Sequence, residues 1–230
     1  MPKSKRAKVV SLTKTDKKGK ENKERIFNEI RDAIDQYAYI WVFSVDNMRN
    51  TFVKDIRSDW VGSKIFMSKS KVMAKALGST PEEEYVDNVH ELADQIKGEV
   101  GLLFTDEKVD VVKEYFESFS KLDFARAGTK SNIDFTIPEG VVYSRGGQIP
   151  YEDDIPLAHM LEPTIRQLGA PTRFKDGKVF LDQPYEVCKS GQVLDSRQTR
   201  LLKQFGVVSA EFKITLKAFY DKAAQKTEIL

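Results

Sequence analysis

The sequence holds a single cysteine and two histidines in 230 residues. One cysteine excludes an internal disulfide framework, and two histidines leave little from which to build a metal site. No apolar run approaches the roughly 20 residues that span a bilayer. The N-terminus is basic and lacks an apolar stretch, so it does not read as a secretory signal, and a reducing intracellular compartment is expected. Catalytic signatures are also missing: there is no GxxxxGK[ST], no GxGxxG after a strand, no HExxH and no paired CxxC. Three Ser-x-x-Lys spacings occur, at Ser11–Lys14, Ser68–Lys71 and Ser118–Lys121, without the motifs that give such a spacing meaning. Cys188 reads as a buried structural thiol. His90 and His159 have no recognisable nucleophile beside them and read as surface or partner-contact residues. Glu152-Asp153-Asp154 reads as a solvated turn rather than a cation site. The expectation is a protein without catalytic residues, cofactor or metal.

What is present is an ordinary globular mixture, 40% hydrophobic and 31% charged, which excludes a disordered tail or a fibre. The net charge of +2 conceals a segregation of sign. Residues 1–25 carry ten basic side chains against three acidic ones. Between Arg49 and Lys75 seven basic residues face only Asp55 and Asp59, and between Glu82 and Asp110 ten acidic residues face only Lys97 and Lys108. Such segregation fits one face built for a polyanion; solvated helix faces with a loose basic tail give the same pattern.

Residues 1–20 lack periodicity and read as a flexible basic arm. From Glu21, Ile26, Phe27, Ile30, Ala33, Ile34 and Tyr37 recur at helical spacing. Tyr39 to Val45 is a β-branched and aromatic run, a buried strand. A helix from Thr51 to Trp60, a strand from Lys64 to Ser68 and a helix from Lys71 to Leu77 follow. Pro81 with Glu82, Glu83 and Glu84 predicts a fourth helix start. Gly101 to Thr105 is a third strand, and Asp106 or Asp110 is positioned to cap the next helix. Strands alternating with helices give an α/β layered domain over 21–125.

The composition then shifts. Six of the eight prolines lie between Pro138 and Pro184. Asp176-Gly177 between two short apolar-containing runs is a hairpin signal. Residues 126–195 therefore read as a small β-rich second unit. A helix capped by Asp195 or Ser196 and an alternating strand from Phe212 to Lys217 are expected to return to the first domain, giving 196–222, with 223–230 a frayed tail.

One constellation carries chemistry. Ser68-Lys69-Ser70-Lys71 joins a strand end to a helix start, where free backbone N–H groups favour anions. Met48-Arg49-Asn50-Thr51 holds the equivalent place after the previous strand, and two such loops at one sheet edge suit a large phosphate-bearing ligand. Capping residues with solvent-facing lysines are the plainer alternative.

The run from Asn47 to Gly78, NMRNTFVKDIRSDWVGSKIFMSKSKVMAKALG, resembles the rRNA-binding half of the ribosomal stalk-base (L10, acidic P-zero) protein family. MPKSKRAKVVSLTKTDKKGKENKERIF and IPEGVVYSRGGQIPYEDDIPLAHMLEPTIRQLGAPT are more closely similar to the ribosome assembly factors of that family. The resemblance runs from Met1 to about Asp221. It departs at Ser68, where the family commonly has Gly.

This resemblance implies an L10-type α/β domain with a small β-rich inserted second domain. It implies a grip on large-subunit rRNA at the GTPase-associated centre through Arg49, Asn50, Arg57, Lys64, Lys69, Ser70, Lys71 and Lys75, with Lys3, Lys5, Arg6 and Lys8 of the arm adding contacts. It further implies a monomeric placeholder on the nuclear and nucleolar precursor particle, later exchanged for the stalk protein and reaching the cytoplasm with the particle. Its partners would be the neighbouring stalk-base ribosomal protein and the assembly and release factors of the precursor, with no membrane. Ending at Leu230, the chain is expected to lack the helices and acidic tail that carry a stalk. A truncated stalk protein of mature ribosomes and an RNA-acting enzyme are the alternatives. The insertion is expected to face away from the rRNA, and its Tyr143–Gly147 turn reads as exposed and flexible, either a contact for other factors or a hinge.

Overall fold

In the computed structural model residues 19–230 are described. In chain order the elements are α1 (Lys20–Gln36), β1 (Tyr39–Asp46), α2 (Asn50–Asp59), β2 (Lys64–Phe66), α3 (Ser70–Leu77), α4 (His90–Ala93), β3 (Val100–Thr105), α5 (Val109–Ser118) and β4 (Ser120–Asp123). They continue as β5 (Phe135–Ile137), β6 (Gly140–Val141), a 3-10 turn at His159–Leu161, α6 (Glu162–Gln167), β7 (Thr172–Lys175), β8 (Lys178–Leu181), β9 (Tyr185–Cys188), α7 (Ser196–Gln204), β10 (Ala210–Asp221) and β11 (Lys226–Ile229). The fold is α/β, as the alternation of periods predicts. The expected basic arm lies outside the described residues, apart from Gly19 at the N-cap and Lys20 as first residue of α1.

The described chain divides into two compact units. The first takes residues 19–42, Gly62–Asp106 and Lys217–Leu230; the second takes Phe43–Val61 and Glu107–Leu216. In the first, α1 buries Ile30, Ala33 and Ile34, the stripe its sequence spacing predicts. β3 is buried at all six positions, which is why its sequence runs apolar rather than alternating. The start of β1 and the end of β10 lie in a sheet of order β11-β10-β1-β3-β2. Its core joins Ile40, Val42, Leu102, Phe104 and Tyr220 to Met73, Ala76 and Leu77 of α3. Trp41 stacks on Phe219 with ring centroids 4.6 Å apart.

Three expectations for this unit are corrected. Residues 81–83 form a turn and Glu84 has no regular structure, so no helix starts there. Tyr85 donates its N–H back to the carbonyl of Leu77 at 2.9 Å, so the chain folds onto the end of α3 and cannot continue as a helix from Pro81. Asp106 does not cap α5, whose N-cap is Lys108 without a side-chain bond; its Oδ1 accepts from the Ala38 N–H at 2.8 Å. The tail does not fray, because β11 pairs antiparallel with β10 from Ala218↔Ile229 to Asp221↔Lys226. Lys222 Nζ donates to the carbonyls of Ile34 and Asp35 at 2.9 and 2.7 Å, supplying acceptors at the end of α1 with a cation, as the helix dipole favours.

The second unit has two apolar groups. One is aromatic: Trp60 stacks on Phe116 at 5.7 Å, and Tyr115 meets Trp60 edge-on at 5.2 Å. Burial, and then the hydrogen bond that Tyr115 donates to Asp59 at 2.6 Å, raises the Tyr115 phenol well above its ordinary pKa. The other is built on two small sheets, β5-β9 and β6-β8-β7. Asp176 and Gly177 both take positive φ, 50° and 73°, as a two-residue hairpin turn requires.

α7 starts with a capping box: Asp195 Oδ1 accepts from the N–H groups of Arg197 and Gln198, and the Gln198 side chain accepts from the Asp195 N–H. The sequence reading returns α7 to the first domain. Instead its Leu201 and Leu202, with Phe205 just after it, lie in one core with Phe135, Ile137, Val187 and Leu194 of the β-rich segment. The Tyr143–Gly147 turn is also not loose. Asp154 accepts from Ser144 Oγ at 2.6 Å and from the N–H groups of Arg145 and Ile155, both at 2.8 Å. Burial raises the Asp154 carboxyl, but these hydrogen bonds outweigh it and leave the pKa below the ordinary value. Gly146 is buried against Phe135 and Phe205.

Candidate nucleic-acid interface

The sequence-predicted residues fall in both units. In the first, Lys69 is the N-cap of α3, with extended backbone and no side-chain capping bond. Its carbonyl receives the N–H groups of Val72 and Met73, at 2.8 and 3.2 Å. Lys69, Lys71 and Lys75 line the start and outer side of α3, with Lys71 and Lys75 exposed. Ser70 Oγ donates to the Gly98 carbonyl at 3.1 Å, so its hydroxyl positions the start of α3. Lys64 reaches sideways, donating to Gln36 Oε1 at 3.1 Å above the Tyr37 ring.

α1 and α3 together form a groove of about 360 Å³ lined by Lys20, Lys23, Glu24, Phe27, Lys71, Val72 and Lys75. Lys71 and Lys75 are one helical turn apart on α3, and Lys20 and Lys23 one turn apart on α1. The carboxylate of the groove, Glu24, pairs with Lys20 at 3.4 Å. The floor is apolar, with Phe27 carrying Arg31 over its ring at 4.3 Å. Four ammonium groups above an apolar floor suit a phosphate backbone with a ribose or base face below it. The sequence pattern alone does not mark Lys20 and Lys23 as rRNA-binding residues; their one-turn spacing opposite the Lys71–Lys75 pair is the signal, visible only once α1 is placed on α3.

In the second unit Arg49 is the N-cap of α2. Its guanidinium forms an ion pair with Asp123 and donates through Nη2 to the Phe124 carbonyl. It is half-buried, committed first to holding the β4 end in place. Asn50 is exposed as the first residue of α2, and Arg57 is exposed in its last turn. Next to Arg49 opens a pocket of about 500 Å³ lined by Asp123, Arg126, Thr199, Arg200 and Lys203, among others. Sequence reasoning missed these cations. Arg200 and Lys203 are three apart on one face of α7, but nothing local indicates that Arg126 joins them.

His90 and the thiol are absorbed by structure, whereas His159 is exposed. His90 Nδ1 lies 2.6 Å from Glu84 Oε2, and this hydrogen bond, opposed by partial burial, lowers the Glu84 carboxyl below its ordinary pKa. Cys188 is buried in β9, with Sγ 3.6 Å from Ser131 Oγ.

Comparison with known proteins adds identity. Residues 18–121 match the family described as Ribosomal protein L10, and residues 125–207 match the insertion domain described for the 60S ribosomal proteins of that type. Ribosome assembly factor mrt4 of Schizosaccharomyces pombe is 55% identical over 100% of this chain and 95% of its own length. The protein of that name from Candida glabrata is 54% identical over 96% of this chain and 93% of its own. That from Saccharomyces cerevisiae is 52% identical over 99% and 97%. At that identity over nearly the whole of both partners, the chain belongs to the Mrt4 family, built on the ribosomal protein L10 domain with its insertion domain.

Proposed function

We propose that this protein is an rRNA-binding factor of large ribosomal subunit assembly that occupies the stalk-base site on nuclear precursor particles, as a placeholder later exchanged for the stalk protein. Membership of a family whose relatives are named ribosome assembly factors supports the assembly role. The observation that carries RNA binding is the α1–α3 groove, with Lys20, Lys23, Lys71 and Lys75 over Phe27 and Val72. Lys69 extends the same positive face at the start of α3. Lysines there act as point charges on phosphates, and recognition reads shape and phosphate position rather than duplex sequence. The protein works by binding rather than by catalysis, on the GTPase-associated centre rRNA and beside the neighbouring stalk-base ribosomal protein. Lys3, Lys5, Arg6 and Lys8 add charge to the RNA grip, and the insertion meets assembly and release factors. It works as a monomer on the particle, in the nucleus and nucleolus, and reaches the cytoplasm with the precursor.

The test is equilibrium binding to the GTPase-centre rRNA segment across a salt series, comparing the wild type with a Lys69→Ala, Lys71→Ala, Lys75→Ala variant. The variant should lose roughly two units of salt slope, about 0.7–0.9 per phosphate contact. Equal slopes would remove the α3 face from the RNA grip.

A further inference from the structure

We propose that the basic pocket between residues 123–127 and α7 is a second site for the RNA backbone, taking one phosphodiester with its sugar. This rests on the RNA-binding reading above and adds to it a site of which the family resemblance assigns only Arg49, and none of Arg126, Arg200 and Lys203.

Four cations line the pocket, Arg49, Arg126, Arg200 and Lys203, against one carboxylate, Asp123. That carboxylate is already neutralised. Arg49 pairs with it, and its Oδ1 accepts from the Phe124 N–H at 2.7 Å. Arg126, Arg200 and Lys203 are ion-paired with nothing among the described residues. Three unpaired like charges around one concavity repel one another, and an anion in their midst relieves that repulsion. Guanidinium forks at two corners match the paired oxygens of a phosphodiester, and the ammonium supplies a point charge.

The pocket is also held in place. Arg200 and Lys203 stand on α7, a helix fixed by the Asp195–Gln198 capping box and by Leu201 and Leu202 in the core. Lys203 lies over the Phe124 ring, 5.9 Å from its centroid. The Arg49–Asp123 pair and the Arg49 bond to the Phe124 carbonyl anchor the opposite wall. The cations therefore sit on braced elements rather than on a loose loop.

The test uses the full chain with Arg126→Ala, Arg200→Ala and Lys203→Ala combined. All three residues are exposed, so folding should be retained, which thermal melting checks. A charge-matched control changes Lys175, Lys178 and Lys213 to Ala, also exposed and outside the pocket. Binding to the GTPase-centre rRNA segment is measured over a salt series. The pocket variant is expected to bind about tenfold or more weakly and to lose about 0.7–0.9 unit of salt slope, the share of one phosphate, with the control close to wild type. Equal loss in both variants overturns the site and leaves only long-range attraction. No loss in the pocket variant, while the Lys69, Lys71, Lys75 variant does lose affinity, overturns this inference and spares the RNA-binding reading. A wild type that does not bind the segment overturns both.

Discussion

Arg49 at the N-cap of α2 and Asp123 at the end of β4 form a half-buried ion pair, with the Arg49 fork also reaching the Phe124 carbonyl. A residue that the family resemblance assigns to rRNA is thus first a structural clamp. Arg49→Ala leaves Asp123 without its counter-charge and the Phe124 carbonyl without its donor. The expected loss is about 1–3 kcal/mol in urea denaturation. Asp123→Ala should cost less when added to Arg49→Ala than it does alone, because the two side chains act as a pair. An Arg49→Ala protein of unchanged stability that binds rRNA poorly would reverse this and make Arg49 a phosphate contact alone.

The capping box of α7 gives a second expectation. Asp195 satisfies the N–H groups of Arg197 and Gln198, which otherwise have no intrahelical partner. Asp195→Ala should cost about 1 kcal/mol, read as a lowered urea midpoint with an unchanged m-value. Arg200 and Lys203 ride on this helix. The same variant should therefore weaken rRNA binding slightly at temperatures near its melting point and not well below it.

These relationships divide by how local their causes are. The hairpin at Asp176-Gly177 and the strand from Gly101 to Thr105 were legible because turn chemistry and an unbroken apolar run act over a few residues. Lys71 was legible from its place where a strand end meets a helix start, and Lys75 only from the family resemblance. The α7 docking was not, because Leu201, Leu202 and Phe205 show only that a helix has an apolar side, and the partner Phe135 is far away in sequence. β11 was hidden because Lys226, Thr227 and Glu228 look polar and solvated, and only the register with β10 makes them a strand. The Arg126, Arg200 and Lys203 cluster is wholly a product of that packing. The Pro81–Glu84 segment shows the opposite error: a sound local helix-start signal is overridden by the fold-back of Tyr85 onto Leu77.

That fold-back also sets a pH dependence. Glu84 is held below its ordinary pKa chiefly by the hydrogen bond to His90. A carboxyl depressed in the folded state adds stability that is fully present above its unfolded pKa. That stability is lost as pH falls through the folded value. In His90→Ala the Glu84 carboxyl should titrate closer to 4.5, its ordinary value, by carbon-13 NMR. Urea midpoints of wild type and variant should differ at about pH 6 and converge as the pH falls through the depressed folded value of Glu84. A gap that persists at the acid end would assign the loss to packing of the imidazole instead.

Gly78 ends α3 with φ at +101°, and a Cβ built there would lie 2.3 Å from the Glu84 Cα and 2.5 Å from the Glu83 carbonyl oxygen. Both are backbone atoms and cannot swing aside as a side-chain tip would. Gly62 has nearly the same φ, +98°, but its Cβ would meet nothing within 4 Å. Alanine at either position incurs the strain of a left-handed backbone, about 1–2 kcal/mol. Gly78→Ala must in addition force the 83–84 segment away from the end of α3, adding about 1–3 kcal/mol of overpacking. Gly78→Ala should therefore unfold at clearly lower urea than Gly62→Ala. It should also disturb the Glu84–His90 hydrogen bond, returning the Glu84 carboxyl toward its ordinary pKa, whereas Gly62→Ala leaves that titration unchanged. Equal midpoints for the two variants would show that the close approach of residues 83–84 to Gly78 does not hold the segment in its turn.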